Sequence, residues 1–478
     1  MCFIEQNEAR TSRGFHVSLG FAPFNCIYKS LYIHIITDSL EDDYVIYGQL
    51  YIYISIQRWK KLKSNPQLLK GMYFSFIMGE IDKLEKRKNM KFSKRMETLT
   101  ESVFSKLDEE KQRMLSNGKP VYDFTIGSPN IAPSKAVMDA LITTAQQPES
   151  YMYSLHDTKE FRETIQKWYK TRYQVELNPE TEILSLQGSQ EGLAHVALAL
   201  CDEDDIVLIP SPSYPIFANG PKIAGAQLYE MPMLKEHEYL IQFDAIPKEI
   251  ADRAKMMIVS YPNNPTGATA PDTFYEKLIQ FAKEHEIIVI HDTAYSNLVF
   301  DGEEGKSFLY YEGAKDIGIE FNSFSKTYGM AGARIGICVG NSEIVGILRK
   351  LKSNIDYGMF LPIQKAAIAA LTQDQSIVKE TRVTYQKRRN RIVEGAKEAG
   401  WEIEACKSTM FLWAQIPAGY GNSEEFAMQL LKKSGMLVTP GSSFGAYGEG
   451  FVRIALVQSD DVIEQALQAL KDSRFFLK

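Results

Sequence analysis

Lys326 stands in SFSKTYGMAG, Ser323 to Gly332, and Arg334 follows it by eight positions. A lysine amine forms a Schiff base with a carbonyl, provided that its pKa falls toward neutrality. At a strand-to-turn transition and flanked by small residues, Lys326 can lie in a partly desolvated cleft. Ser323 and Ser325 offer hydroxyls, and Arg334 offers a guanidinium fork suited to phosphate. A lysine beside phosphate ligands suggests a phosphorylated aldehyde cofactor. Pyridoxal phosphate fits, since it needs such a lysine and a partner for its pyridine nitrogen. On its own the string reads more readily as a solvated loop lysine.

Other motifs supply the missing parts. IIVIHDTAY puts Asp292 at the C-terminal end of a buried strand, where ligands of open α/β sheets bind. A carboxylate there could keep a pyridinium protonated, although an N-cap is the bland reading. His291, its neighbour on the strand, points to the opposite face and is assigned to packing. Tyr295 can aim a phenol at the cofactor's O3'. YPNNPTG, Tyr261 to Gly267, is a proline-fixed turn after another strand, and a side-chain amide held there can bond a ring oxygen. LQGSQEGLA is a glycine turn opening a helix, so the N–H groups of Gly188, Ser189 and Gln190 would face an anion. PSPSYP places Tyr214 on a proline-braced loop, where its ring could stack on a planar group. FVRIALV buries Arg453 in an apolar strand. Bidentate recognition of a substrate α-carboxylate is its natural use, and a structural salt bridge is the alternative.

These residues need elements to position them. After Met90, strand-like runs (TEILSLQG, DIVLIP, MMIVSYP, IIVIHD, IEFNSFS, GICVG) alternate with helical stretches (SQEGLAHVALAL, DTFYEKLIQFAKEHE), the signature of an α/β fold. Helical patterns run from Asp356 to Leu371 and from Ser376 to Ala399, and FLWAQI, MLVTPGSSFG and FVRIALV suggest a small mixed α/β domain. With 478 residues, more than one domain is expected. Apolar and charged contents of 45% and 24% are ordinary for a soluble globular chain, and a net charge of -6 leaves no basic footprint for nucleic acid. The five cysteines show no metal-ligand spacing, so no metal is expected, and free thiols of a reducing compartment are. No apolar run is long enough to cross a membrane and no signal peptide is evident, so the expected location is cytoplasmic.

Taken in order, IGSP, GSQEG, PSY, NPTG, DxAY, SxSK with its arginine, and a late VRIA make the chain from Met90 to Lys478 resemble the class I/II aminotransferases, pyridoxal-phosphate enzymes of the aspartate aminotransferase fold (fold type I). The resemblance implies a large domain, residues 136–353, with a mostly parallel seven-stranded sheet flanked by helices. It implies a small α+β domain from residues 90–135 and 354–478. Lys326 matches the lysine that bonds the cofactor aldehyde and carries the proton between Cα and C4'. Asp292 matches the partner of the pyridine nitrogen, Asn264 and Tyr295 the O3' ligands, and Tyr214 the stacking aromatic. Gly188, Ser189, Gln190, Ser323, Ser325 and Arg334 match the phosphate cup. Arg453 matches the α-carboxylate clamp, and Gly127 in TIGSP the glycine whose backbone approaches substrate. Tyr153 in YMYSLHD matches a tyrosine that reaches the phosphate of a neighbouring subunit, which implies a homodimer with shared sites.

Two features depart from the family. Thr158 stands where a glycine is usual, and Ala333 where many relatives carry a bulky aromatic. No second arginine for a substrate side-chain carboxylate is evident, since Arg349 and Arg382 lie in helical patterns and are assigned to the surface. The expected activity is transfer of an amino group between an L-amino acid and a 2-oxo acid. A β-elimination (C–S) lyase of the same fold, or a non-catalytic regulator, is the alternative. Residues 1–89 have no counterpart in the family. Their Ile- and Tyr-rich runs could make short strands, and the segment is expected to be a poorly ordered extension of unknown function.

Overall fold

The computed structural model describes residues 7–10, 15–24, 28–37, 49–55, 93–97, 99 and 105–476. The chain forms two units, Met1–Phe92 and Ser93–Lys478. In the first, β1 (Asn7–Arg10), β2 (Phe15–Phe24), β3 (Tyr28–Thr37) and β4 (Gln49–Ser55) pair antiparallel in sequence order. β3 and β4 fall in the Ile- and Tyr-rich runs. The rest of residues 1–89, on which the expectation of a poorly ordered extension also bears, lies outside the described residues.

The second unit is built on a sheet of β6 (Ile183–Leu186), β7 (Ile206–Ser211), β8 (Gln227–Pro232), β9 (Ala254–Ser260), β10 (Ile288–Asp292), β11 (Gly318–Ser323) and β12 (Gly336–Gly340). The order is β6-β12-β11-β10-β9-β7-β8. The β7–β8, β7–β9, β9–β10 and β10–β11 pairs are parallel, whereas β12 runs antiparallel to both neighbours. The central strands are buried along their length because helices cover both faces, which is why they read as continuous apolar runs. One covering layer includes Leu193, Val196 and Phe217. The other includes Phe161, Tyr169, Leu278 and Phe308. The edge strand β8 (QLYEMP) is only partly buried and lacks the apolar run that marked the others.

A separate core joins both ends of the family region. β5 (Tyr122–Asp123) pairs with β14 (Met436–Leu437), and β13 (Phe411–Gln415), β15 (Thr439–Pro440) and β16 (Phe451–Ala455) form a sheet ordered β13-β16-β15. Leu107, Met114 and Phe124 pack there with Tyr385, Trp401, Phe426 and Leu467. The helix expected from Asp356 starts only at Leu361. Tyr357 takes a left-handed φ of 59°, and Pro362 sits in the first turn, where its missing N–H costs nothing. This helix, Leu361–Thr372, packs on the helix Lys135–Ala145 and buries Ala366, Ala367 and Ile368 in the core of the large sheet. It therefore lies across the boundary expected at residue 354. The helix Ser376–Glu398 matches its pattern to within one residue.

Candidate active site

The parallel strands present their C-terminal ends to one edge of the sheet, and β12, running the other way, presents its beginning. That edge carries a cleft of about 540 Å³. Its lining contains Gly127, Gly188, Ser189, Gln190, Tyr214, Asn264, Asp292, Tyr295, Ser323, Ser325, Lys326, Arg334 and Arg453, which is every candidate except Tyr153.

β6 leads through Gly188 into the helix Ser189–Leu200. Gly188 has φ 78°, and a Cβ there would stand 2.5 Å from Arg334 Nη2, so glycine both permits the turn and admits the guanidinium. Arg334, itself at φ 53°, donates from Nη1 to Ala331 O at 3.0 Å and lies over the same turn. Ser323 ends β11, and its hydroxyl accepts from Ser325 N at 3.2 Å. Helix N-terminus, guanidinium and hydroxyls thus make an anion cradle. Tyr214 caps one side, its hydroxyl donating to Gln190 Oε1 at 2.9 Å.

After β9, Asn263 Oδ1 accepts from Thr266 N at 3.2 Å and Thr266 Oγ1 at 2.8 Å, which folds the NNPTG turn on itself. Gly267 completes it at φ 70°. Asn264 is left facing the cleft, where Oδ1 accepts from Arg453 Nη1 at 3.1 Å. Arg453 Nη2 donates to Thr125 O at 3.0 Å, whereas Nε is buried without a partner. Burial pulls the Arg453 pKa down to about 10. Asp292, at the end of β10, accepts from Ala294 N at 3.2 Å. Burial pushes its carboxyl up to about 6, against the pull of that hydrogen bond, of His291 and of Lys326. Lys326 Nζ donates to Gly127 O at 2.8 Å. Burial, then repulsion from Arg453 and Arg334, lowers its pKa to about 8, with Asp292 opposing. A neutral amine is therefore accessible near neutrality.

His291 lies on the other side of the sheet, buried with Glu320 Oε2 at 3.3 Å from Nδ1. Glu320 accepts from Tyr169 OH at 2.8 Å and Phe308 N at 2.8 Å. Arg349 donates to Ile183 O at 2.9 Å and Arg382 approaches Glu304 at 3.8 Å; neither lines the cleft. Thr158 replaces the usual glycine without strain, since its φ is -66°. Its hydroxyl caps the helix Lys159–Tyr173 by accepting from Phe161 N at 3.2 Å. Phe411, Ser260, Ala294 and Ile126 also line the cleft and were not singled out. Phe411 comes from β13, and only the folded register between β13 and β16 brings it beside Arg453.

Residues 119–470 match the family model described as aminotransferase class I and II. The chain belongs to the class I and II aminotransferases. An LL-diaminopimelate aminotransferase of Halothermothrix orenii is 40% identical over 80% of this chain and 99% of its own. The glutamate-pyruvate aminotransferase AlaC of Escherichia coli is 40% identical over 79% of this chain and 92% of its own. The substrate-bound structure of BacF from Bacillus subtilis superimposes with a TM-score of 0.77 at 34% identity, covering 80% of this chain and 98% of that one.

As an aminotransferase it is a pyridoxal-phosphate enzyme that moves an amino group between an amino acid and a 2-oxo acid. The donor set fits that cofactor: an anion cradle that a Cβ at Gly188 would fill, a buried carboxyl, and a lysine of lowered pKa in one cleft. When bound, the cofactor supplies an aldehyde carbon and an electron-accepting ring. The protein's part is to hold it, orient the substrate and move one proton. Among the described residues no cluster of His, Cys, Asp and Glu could hold a metal ion, and no helix is long and apolar enough to cross a membrane.

Proposed function

We propose that this aminotransferase uses Lys326 both to bond the cofactor aldehyde and to carry the proton to and from the substrate Cα. Asp292 holds the pyridine nitrogen protonated, and Asn264 and Tyr295 bond the ring O3'. Tyr214 stacks on the ring. Gly188, Ser189, Gln190, Ser323, Ser325 and Arg334 hold the phosphate. Arg453 binds the substrate α-carboxylate beside the backbone of Gly127. The observation that carries this reading is the convergence of all these groups on one cleft around a lysine whose pKa is lowered to about 8.

We further propose a homodimer. Tyr153 is 87% exposed and packs on Tyr357 with ring centroids 6.1 Å apart, outside its own cleft. Tyr151, Met152, Leu155, Ile355 and Phe360 are exposed around it, and Ser154 O accepts from Gly358 N at 2.8 Å, tying the two segments into one apolar patch. Apolar patches of this kind mark protein contacts. A second copy would cover the patch and receive Tyr153 at its phosphate cradle. The free thiols of Cys201, Cys338 and Cys406 support a cytoplasmic location.

The test is to purify the protein with pyridoxal phosphate and follow its visible spectrum as amino acids are added. LL-diaminopimelate, glutamate and alanine head the panel because the relatives' names point to them. Conversion to the pyridoxamine form with release of a 2-oxo acid is expected. Pyruvate with ammonia or a thiol from a β-substituted substrate would indicate a lyase instead. Lys326→Ala should abolish the cofactor's lysine-bound absorbance, and its survival would show that another lysine holds the cofactor.

A further inference from the structure

Arg453 is a buried cation with an unusual set of neighbours. Among the described residues no carboxylate pairs with it; its guanidinium lies between two rings, 4.1 Å from the Phe411 centroid and 4.7 Å from that of Phe444. A buried guanidinium needs compensation for lost water. A protein carboxylate would supply it by consuming the N–H edge, which a substrate carboxylate also needs. A ring supplies it through its face and leaves that edge free. The Arg453 Nε, buried with no acceptor, belongs to the edge so preserved.

Phe411 is the better placed of the two rings. It lines the cleft and is buried, and its edge-on contact with Tyr295 has centroids 5.9 Å apart. A Cβ on Gly127 would stand 3.2 Å from its Cζ, and the carbonyl of Gly127 is the acceptor for Lys326 Nζ. One ring therefore touches the carboxylate clamp, the phenol and the segment holding the lysine. Its own position is fixed by Thr409. That residue is β-branched yet has φ 73°, a conformation that persists only where surroundings over-determine it. Thr409 N donates to Leu298 O at 2.8 Å, and its Oγ1 accepts from Phe411 N at 3.2 Å. The backbone bond anchors the entry of β13 to the segment carrying Tyr295, and the hydroxyl holds Phe411.

We propose that Phe411, locked by Thr409, is the positioning residue that holds the Arg453 guanidinium desolvated and aimed at the substrate α-carboxylate. This rests on Arg453 being the carboxylate clamp. Phe411 acts through Arg453, so its loss should fall on substrate affinity and not on cofactor binding.

The test uses the holoenzyme and the variants Phe411→Leu, Thr409→Gly, Thr409→Ser, Arg453→Ala and the double variant Phe411→Leu/Arg453→Ala. L-alanine, L-glutamate and LL-diaminopimelate are the amino-acid probes, and ethylamine is the control without a carboxylate. Phe411→Leu should raise KM for the reacting amino acid about 30-fold, the worth of a desolvated cation–π contact, with a smaller change in kcat. Its cofactor affinity, read from the absorbance of the reconstituting apoprotein, and its reaction with ethylamine should match the wild type. Thr409→Gly relieves the strained φ but frees Phe411, so it should raise KM in the same way while keeping thermal stability, and Thr409→Ser should restore the wild-type value. In the Arg453→Ala background Phe411→Leu should add little, since coupled residues are not additive.

A raised KM in Arg453→Ala with none in Phe411→Leu overturns the platform and leaves the clamp standing. An unchanged KM in Arg453→Ala removes the clamp itself. Equal losses toward ethylamine, or weakened cofactor binding, would make Phe411 a packing residue. If Phe411→Leu fails to fold, Thr409→Gly decides: an unchanged KM there overturns the proposal.

Discussion

Lys326→Met should raise the melting temperature of the cofactor-free protein, and the gain should fade as pH rises. Burial, with repulsion from Arg453 and Arg334, moves the Lys326 pKa from 10.5 to about 8 in the folded chain. That displacement corresponds to about 3 kcal/mol at 1.36 kcal/mol per unit. Below pH 8 the folded state carries the ammonium against its preference, and the full cost applies. Between 8 and 10.5 the folded lysine is neutral while the unfolded one is still charged, so the cost declines; above 10.5 it is gone. Methionine keeps the apolar stem and removes the charge. It also forfeits the bond from the charged Nζ to Gly127 O, which offsets about 2 kcal/mol. A net gain of about 1 kcal/mol remains on the acid side. Calorimetric unfolding of the two apoproteins, on both sides of pH 8, measures it. A lower melting temperature for the variant, or a difference that does not change with pH, would refute the assignment of Lys326 as a desolvated amine.

Asp292→Asn should lower kcat about 100-fold or more while the cofactor still binds, because a buried charge partner is lost to the pyridine nitrogen; stopped-flow absorbance reads the half-reaction. Gly188→Ala should weaken cofactor binding about 10-fold, since φ 78° strains a side chain and the new methyl meets Arg334 Nη2 at 2.5 Å. Absorbance titration of the apoprotein tests this, with unchanged affinity as the contrary result. Met152→Asp should convert the proposed dimer to a monomer in sedimentation and weaken cofactor binding with it. A dimer that tolerates the charge would place the interface elsewhere.

Much of the candidate site was legible because several of its groups stand where a strand ends. Asp292 closes β10, Lys326 follows β11, and Asn264 sits in a turn whose prolines and asparagines announce it. The strands themselves were legible where both faces are buried. β8 was not, being a partly buried edge. The helix thought to begin at Asp356 failed at Tyr357, because a left-handed tyrosine carries no sequence mark. Phe411 and Phe444 stayed invisible for another reason. Arg453 meets Asn264 across 189 positions and Thr125 across 328, so its surroundings exist only once the small sheet has closed.

The reversed course of β12 has a consequence for how this site can vary. β11 and β12 pair antiparallel from Ile319–Gly340 to Ser323–Gly336, so the residues between them form a closed loop with both ends fastened. Lys326 stands near its departure and Arg334 near its return. The lysine proposed to bond the cofactor aldehyde and the arginine proposed to hold its phosphate thus stand at the two ends of one short tether. An added residue would move lysine and arginine apart together.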